Sequence, residues 1–581
     1  MSLETKLKEA IRLHQLGKVA VAKKRYQQIL QVEPNNFDAL HMFGVAALSE
    51  GNGSLAVDYI HRAISIFSKS PIAYFNLGNA YSSISKILDA EAAYQKAIFI
   101  DKNYVDAYLN LGSTLNVAAK FEDSIKILNQ ALKLRSNCPK INYQLGIAYA
   151  LSNQTENAEQ YFKSSLTIKP NFADAHQHLG NLLANQKKYN EAIYHLSQTL
   201  HEQPNNWEAL QSLGGAFAEM GKFEESESCF SSALKINNKS ESVKINQASL
   251  FRLKGDAKTA LHICQQILDK TPSNYTALNL AAQVSLEQGD LKSAKTYFLK
   301  NYLSNVDHKW KQESGAFAAV SSYLMGDKRE AQEILNNLSS SLMSIGASHL
   351  TDVVAIAYHG LLSKLMSIHS SKNGEFEQEI YVVAESHGLS HHGNRVKLDA
   401  DKYKCSTLWV PGCKQWHLAK PYPNNYKVAL ETQLGKLPKG SKVLAVFGEI
   451  DCRLTSGIIP FQKKSPLLSV EQIVDQTVIG YLDFLTNINN ACNHHLIISG
   501  IPAHNIDTSS VSNADLQLLI KVIQLMNARM REECQKRNFY FLDVYAMTNG
   551  VNGVSDGVHH IDAHHLTPVA CELAFENHLA T

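Results

Sequence analysis

Small and bulky positions recur along the first half of the chain in one fixed register. Small residues stand at Ala10, Gly44, Gly78, Gly112, Gly146, Gly180, Gly214, Ala248 and Ala282, each 34 residues after the last. Twelve residues beyond each comes a second small or hydroxyl residue, from Ala22 and Ala56 to Ala260 and Ala294. Four further on a bulkier side chain follows: Tyr26, Ile60, Tyr94, Leu128, Phe162, Leu196, Phe230, Cys264 and Phe298. Pro34, Pro170, Pro204 and Pro272 share a fourth register. The pattern predicts helical hairpins in series. Small residues let two helices approach, the bulky one fills the remaining groove, and the proline marks the end of the second helix. A looser tenth unit follows a three-residue slip, with Gly326 and Ala331 in place.

The pattern changes after residue 345. A helix-period apolar stretch, Ser348–His369, predicts a capping helix, and polar Ser370–Phe376, with Asn373-Gly374, reads as a linker. Short apolar runs then alternate with helical segments. Strands are expected at Glu379–Ala384, Ser406–Val410, Lys442–Phe447, His495–Ser499 and Phe539–Tyr545. Helices are expected at Asn425–Leu437, Val470–Asn490, Asn513–Arg537 and Pro568–Leu579. That order predicts a parallel sheet covered on both faces, with ligands at the C-terminal strand ends. The expected domains are therefore 1–345 for the repeats, 346–378 for cap and linker, and 379–581 for an α/β domain.

The repeat resembles the tetratricopeptide repeat (TPR) family over roughly Leu3 to Asn337. The resemblance implies an all-α right-handed solenoid whose concave face holds a protein or peptide segment. On that face Asn76, Asn79 and Asn110, in FNLGNAY and LNLGSTL, resemble the asparagine ladder of the O-GlcNAc transferase TPR arm. An amide can both donate to and accept from an extended peptide backbone. The chain after the repeats is too short for the transferase that accompanies such arms, and it lacks a glycine-rich phosphate loop.

Three strand ends of the second half carry candidate chemistry. Glu385-Ser386-His387-Gly388 follows the first strand, Gly448-Glu449-Ile450-Asp451-Cys452-Arg453 the central one, and Asp562-Ala563-His564-His565-Leu566-Thr567-Pro568 precedes the last helix. A serine followed by a distant D-x-x-H makes an economical triad, because one loop supplies both the base and the carboxylate that orients it. Here the chain resembles the SGNH/GDSL hydrolase superfamily, which implies a flavodoxin-like three-layer α/β domain. Ser386 then stands as nucleophile, His565 as base and Asp562 as its partner. Asp556 and His559, six residues upstream, fit the same spacing and form an alternate pair. Gly412, in WVPGCKQW, matches the oxyanion glycine of the family's second block. Gly448 to Asp451 fall on the third block, where Ile450 replaces the amide donor Asn and leaves Asp451 and Arg453 as oxyanion or substrate candidates. Block one reads Ala384-Glu385-Ser386 in place of G-D-S.

Composition narrows the rest. The chain has 581 residues, 45% hydrophobic and 19% charged, which suits globular domains. Fifty-six basic against 54 acidic residues give a net charge of +2, so nucleic acid is not an expected partner. No segment reads as a membrane span or a secretory leader, and nine scattered cysteines without CxxC suit a reducing, cytoplasmic setting. A metal held by His391, His392, His559, His560, His564 and His565 with Asp556 or Asp562 is a less favoured alternative; no metal and no cofactor are expected. Cys452 reads as a buried thiol, and Trp409 and Trp416 as packing residues beside Gly412. The expected function is a TPR-targeted serine esterase or acyltransferase acting on an ester-linked acyl group of a small molecule or glycan. Its rival is a non-catalytic interaction scaffold with a degenerate SGNH-like domain.

Overall fold

The computed structural model describes residues 2–304, 310–345, 350–368, 378–398, 401–550 and 552–580. Two compact units emerge, Met1–Phe217 and Ala218–Thr581. The second takes in the last repeats as well as the α/β part, so it begins far before the expected boundary at 345/379.

Among the described residues, twenty α-helices run from Leu3 to Ile345, two per repeat. The predicted register explains their packing. A Cβ placed on Gly78 would lie 2.5 Å from the Tyr94 ring, and one on Gly112 would lie 2.4 Å from Leu128. The helices touch at these positions, and any larger side chain would force them apart. Where the second small position is serine, its hydroxyl finds a partner: Ser124 Oγ donates to Gly112 O at 2.8 Å. The register prolines lie just beyond their helices, which end at Val32, Ile168, Glu202 and Leu268.

The turn inside each hairpin needs one residue with positive φ. It falls at Gly17, Gly51, Ser85, Ala119, Asn153, Lys187, Gly221, Gly255, Gly289 and Gly326. The first nine keep the 34-residue step, and the tenth records the three-residue slip. Residues 305–309, where the slip falls, lie outside the described residues, as does the linker expected at Ser370–Phe376.

The expected capping helix spans Leu350–Ile368. It does more than cap. Tyr358, Leu361, Leu362 and Leu365 enter one buried cluster with Phe317 of helix Lys311–Leu324 and with Trp409. Phe317, Tyr358 and Trp409 meet edge to face, with centroids 5.0 to 5.6 Å apart. Helix Lys311–Leu324 is buried on nearly every face, because repeat helices, the cap and Trp409 all pack around it.

The α/β part carries a seven-stranded mixed sheet. Its strands are β1 (Glu379–Ala384), β2 (Arg395–Leu398), β3 (Asp401–Trp409), β4 (Lys442–Val446), β5 (His495–Ser499), β6 (Tyr540–Leu542) and β7 (Leu579–Ala580). Their order is β2-β3-β1-β4-β5-β6-β7. The pairings β3-β1-β4-β5-β6 are parallel, while β2 and β7 run antiparallel at the two edges. Helices Asn425–Gly435, Val470–Cys492, Asn513–Arg537 and Pro568–Asn577 match the sequence reading. The all-parallel sheet needs correction: both edge strands were missed. β2 has four residues and β7 two, too few for a clear period. The strand expected to reach Tyr545 stops at Leu542, where Asp543 caps a short helix, Val544–Thr548.

Ala119 adopts φ +57°, a region that costs an L-residue with a Cβ about 1–2 kcal/mol. Ala119→Gly should therefore raise stability by about 1 kcal/mol, read as a higher urea midpoint; a lower midpoint would contradict this account of the turn.

Candidate active site

Three loops at the C-terminal ends of parallel strands converge on Ser386. The residue sits directly after β1, in a turn leading into the short helix Gly388–His391. That turn presses against β3. A Cβ on Gly388 would lie 2.6 Å from Ala384 Cβ and 2.9 Å from Thr407 Cγ2, so glycine is required there. The loop before helix Pro568–Asn577 brings His565 across. Its Nε2 lies 2.9 Å from Ser386 Oγ, between residues 179 apart in sequence. Its Nδ1 lies 2.9 Å from both oxygens of Asp562. Asp562 Oδ1 also accepts the backbone N–H groups of His564 and His565, each at 2.9 Å, so the carboxylate is fixed before it orients the ring.

The alternate pair does not reach Ser386. Asp556 is exposed and accepts the N–H of Val558 at 3.0 Å. His559 contributes its backbone carbonyl to the N–H of Thr567, at 2.9 Å.

Glu385, His387 and Glu449 stand in the strand-end motifs, but the sequence reading gave them no catalytic or binding role. Ser386 Oγ and Ser386 N–H both donate to the Glu385 carboxylate, whose other oxygen meets His387 Nδ1. The His387 and His565 rings lie 4.5 Å apart. Glu449, after β4, is buried and forked by Arg453, whose Nε lies 2.9 and 2.8 Å from its two oxygens. His564 Nδ1 and His504 Nε2 stand 2.8 and 3.3 Å from Glu449 Oε1. Glu385 could have been found as the acidic residue standing where block one has Asp. His504, which follows β5, answers to the strand-end rule.

These contacts set the protonation states. Burial alone would raise Glu385, but the His387 imidazole outweighs it and brings the carboxyl down to about 2. Burial would lower His387, but Glu385 raises it to about 8. The two form an ion pair at neutral pH. For His565, burial and then the charge of His387 pull the imidazole below its ordinary value, against Asp562. Asp562 is held well below the carboxylate range, because its hydrogen bond and charge contact with His565 outweigh burial. His565 is thus neutral and able to accept a proton, and Asp562 is ionised to steady it.

Other expected site residues separate. Gly412, with φ +71°, and Arg453 line one cavity of about 550 Å³ together with Ser386 and His565. Asp451 does not line it. Fully buried, it accepts the N–H groups of Gln415 at 2.8 Å and Trp416 at 3.3 Å, and burial raises its carboxyl to about 7. It secures the loop after β3 and does not face substrate, which corrects the substrate role expected for it. Ile450 also lines the cavity. Cys452 is fully buried, and burial pushes its thiol well up, so it is no nucleophile. Trp409 reaches the cavity although only 2% exposed, while Trp416 packs on Phe461 at 4.9 Å.

Among the described residues, two groups bring possible metal-ligand atoms within 4.8 Å of one another: Glu449, His504 and His564, and Glu385, His387 and Glu449. Of the histidines expected around a metal, only His564 belongs to either group. The donor set fits a cation poorly, because Arg453 and His387 already place positive charge on these carboxylates.

In the first unit the ladder asparagines bond to neighbouring helices. Asn110 Nδ2 donates to Asn79 Oδ1 at 2.8 Å, and Tyr94 OH donates to the same oxygen at 2.7 Å. Asn76 Nδ2 lies 2.9 Å from His41 Nε2. Asn79 Oδ1 therefore has both lone pairs engaged within the protein.

Comparison with known proteins bears on the repeats. One tetratricopeptide repeat model matches residues 7–71, and a second matches 72–104 and 139–172. A model described as the TT21 fifth ARM repeats domain matches residues 173–249. No curated protein matches the chain. Among solved structures, YrrB, described as a TPR protein with an unusual peptide-binding site, is 22% identical. It covers 32% of this chain and 96% of its own, at a TM-score of 0.28. The pilF protein of Pseudomonas aeruginosa is 20% identical over 37% of this chain and 97% of its own, at a TM-score of 0.34. A tetratricopeptide repeat protein from Parabacteroides merdae is 14% identical over 42% and 96%, at a TM-score of 0.36. Among the described residues no helix is long and apolar enough to cross a membrane.

The Glu385–His387 pair makes stability depend on pH with a defined sign. The raised His387 contributes fully below its unfolded value of about 6.5 and loses that contribution as pH rises through about 8. The wild type should lose about 1–2 kcal/mol between pH 6.5 and 9 that His387→Gln does not lose, measured by urea melts. Parallel pH curves for the two proteins would contradict the pairing.

Residues 7–104 and 139–172 of this chain match tetratricopeptide repeat models.

Proposed function

We propose that the α/β part is a serine hydrolase or acyltransferase of the SGNH/GDSL type, acting on an ester-linked acyl group. The observation that carries this reading is the 2.9 Å approach of His565 Nε2 to Ser386 Oγ, with Asp562 on the opposite ring nitrogen. The parallel strand order β3-β1-β4-β5-β6 supports it, since open α/β sheets hold ligands outside the C-terminal ends of such strands. On this reading the domain proper spans 379–581, with 346–378 as cap and linker and 1–345 as repeats.

The Ser386 hydroxyl hydrogen turns from Glu385 to His565 Nε2, 2.9 Å away, and passes to it as Oγ attacks the carbonyl carbon, while Asp562 steadies the imidazolium. The carbonyl oxygen becomes an oxyanion facing Gly412 and Arg453. Arg453 takes the place of the missing Asn opposite Ile450. One edge of its guanidinium is spent on Glu449, and the remaining N–H groups are a charged donor for the oxyanion. The alcohol leaves with the proton from His565. Water, or an acceptor hydroxyl, then gives its proton to His565 and attacks the acyl-serine; the acyl–Oγ bond breaks, His565 returns that proton to Ser386 Oγ, and the acid or new ester leaves.

The repeats supply partner binding in this reading, in the peptide-holding manner of the TPR family. A second reading, an interaction scaffold with an inactive α/β part, draws on one observation: the Ser386 N–H is turned to Glu385 rather than towards an oxyanion.

The wild type should hydrolyse p-nitrophenyl acetate. Ser386→Ala should lower kcat/KM at least about 10³-fold, and Arg453→Ala about 10²–10³-fold. Hydrolysis by neither wild type nor variant, or equal rates from both, would favour the scaffold.

A further inference from the structure

The cavity before Ser386 is not closed by the α/β part alone. Its opposite wall comes from repeat helices: Arg252 from Glu241–Leu253, Gln283 and Glu287 from Tyr275–Glu287, and Glu313 and Phe317 from Lys311–Leu324. The wall is tied to the sheet side. Gln433 Nε2 donates to Leu286 O at 3.3 Å, and Lys436 Nζ donates to Gln288 O at 2.5 Å. These helices carry the same packing signature as the other repeats, so nothing in their sequence period sets them apart as a binding wall.

The charges around this space cancel in pairs. Arg252 Nε lies 2.9 Å from both oxygens of Glu287, and Arg453 forks Glu449 in the same way. Glu385 pairs with His387. Among the described residues, Glu313 and Gln283 meet no hydrogen-bond or ion-pair partner, although both line the cavity. Burial raises the Glu313 carboxyl to about 7, so at neutral pH it can donate as well as accept. Gln283 does both through its amide. Phe317 and Tyr358 add apolar edges beside them.

We propose that this repeat-built wall is the binding subsite for the alcohol part of the substrate, and that this part is uncharged and rich in hydroxyls, as a sugar ring is. The inference rests on Ser386 acting on an ester, and it assigns the last repeats to substrate selection. A charged ligand group would find its counter-charges already paired, Arg252 with Glu287 and Arg453 with Glu449. A hydroxyl can serve either an amide or a carboxyl, protonated or not. The volume of about 550 Å³ lies in the range of small-molecule sites.

The test measures binding, by calorimetry on the full chain, of methyl glycosides of glucose, galactose and N-acetylglucosamine, which carry no cleavable ester. Glucuronate, glucosamine and glucose 6-phosphate serve as charged counterparts. At least one neutral glycoside should bind, tenfold or more tighter than its charged counterparts. Glu313→Ala should weaken it at least tenfold, and so should Ala357→Trp, a substitution at an exposed rim position that spares the core. No saturable binding, tighter binding of a charged counterpart, or unchanged affinity in both variants would overturn the inference. Turnover of p-nitrophenyl acetate without glycoside binding would sink this subsite alone. Glycoside binding without any ester turnover would sink the esterase reading and keep the wall as a sugar site.

Discussion

Burial of the Ser386 hydroxyl between two imidazole–carboxylate pairs is the constraint on which the site depends. On the proposed reading Ser386 is the nucleophile; an alcohol is a poor one until a neighbouring base takes its proton, and that base must be neutral beforehand. His565 meets the condition because burial and the charged His387 hold its affinity for protons down, while Asp562 prevents the ring from turning. His387 carries that charge only because Glu385 is beside it. The two pairs are therefore coupled: one keeps a proton so that the other is ready to take one. Ser386 is 8% exposed, so the coupling operates with little screening by water.

The repeats and the sheet obey different packing rules, yet they meet in one core. Helical hairpins stack because glycine and alanine at fixed steps let backbones touch. The sheet holds because its central strands β1, β4 and β5 are buried on both faces. Phe317, Tyr358 and Trp409 bridge these systems, bringing together a repeat helix, the capping helix and the end of β3. Trp409 immediately precedes the loop that bears Gly412, so the same contact that closes the core also places a wall of the cavity. This is why the last repeats group with the α/β part in one compact unit.

Much of this was legible in the sequence, for identifiable reasons. A 34-residue step repeated nine times leaves few alternatives, and the Gly78–Tyr94 and Gly112–Leu128 contacts follow from it directly. Strand ends after continuous apolar runs pointed to Ser386 and His565. The choice between two D-x-x-H pairs needed coordinates, because six residues of loop separate them and spacing alone cannot say which faces the serine. Asp451 misled for a related reason: a strand-end carboxylate can turn inwards, and this one holds the 415–416 backbone. In the asparagine ladder, neighbouring helices come close enough to use part of the amides themselves, which the sequence does not show. The edge strands were too short to show a period, and the repeat-built wall leaves no mark in the hydrophobic pattern, because its residues belong to helices already explained by packing.

The claim that Ser386 is an activated nucleophile is tested most directly by labelling with a fluorophosphonate and locating the adduct by peptide mass. The account predicts one adduct, on Ser386, whose rate of formation falls by orders of magnitude in His565→Ala while the protein still melts cooperatively. An unlabelled Ser386 in the folded wild type, or labelling that proceeds as fast without the His565 imidazole, would contradict it.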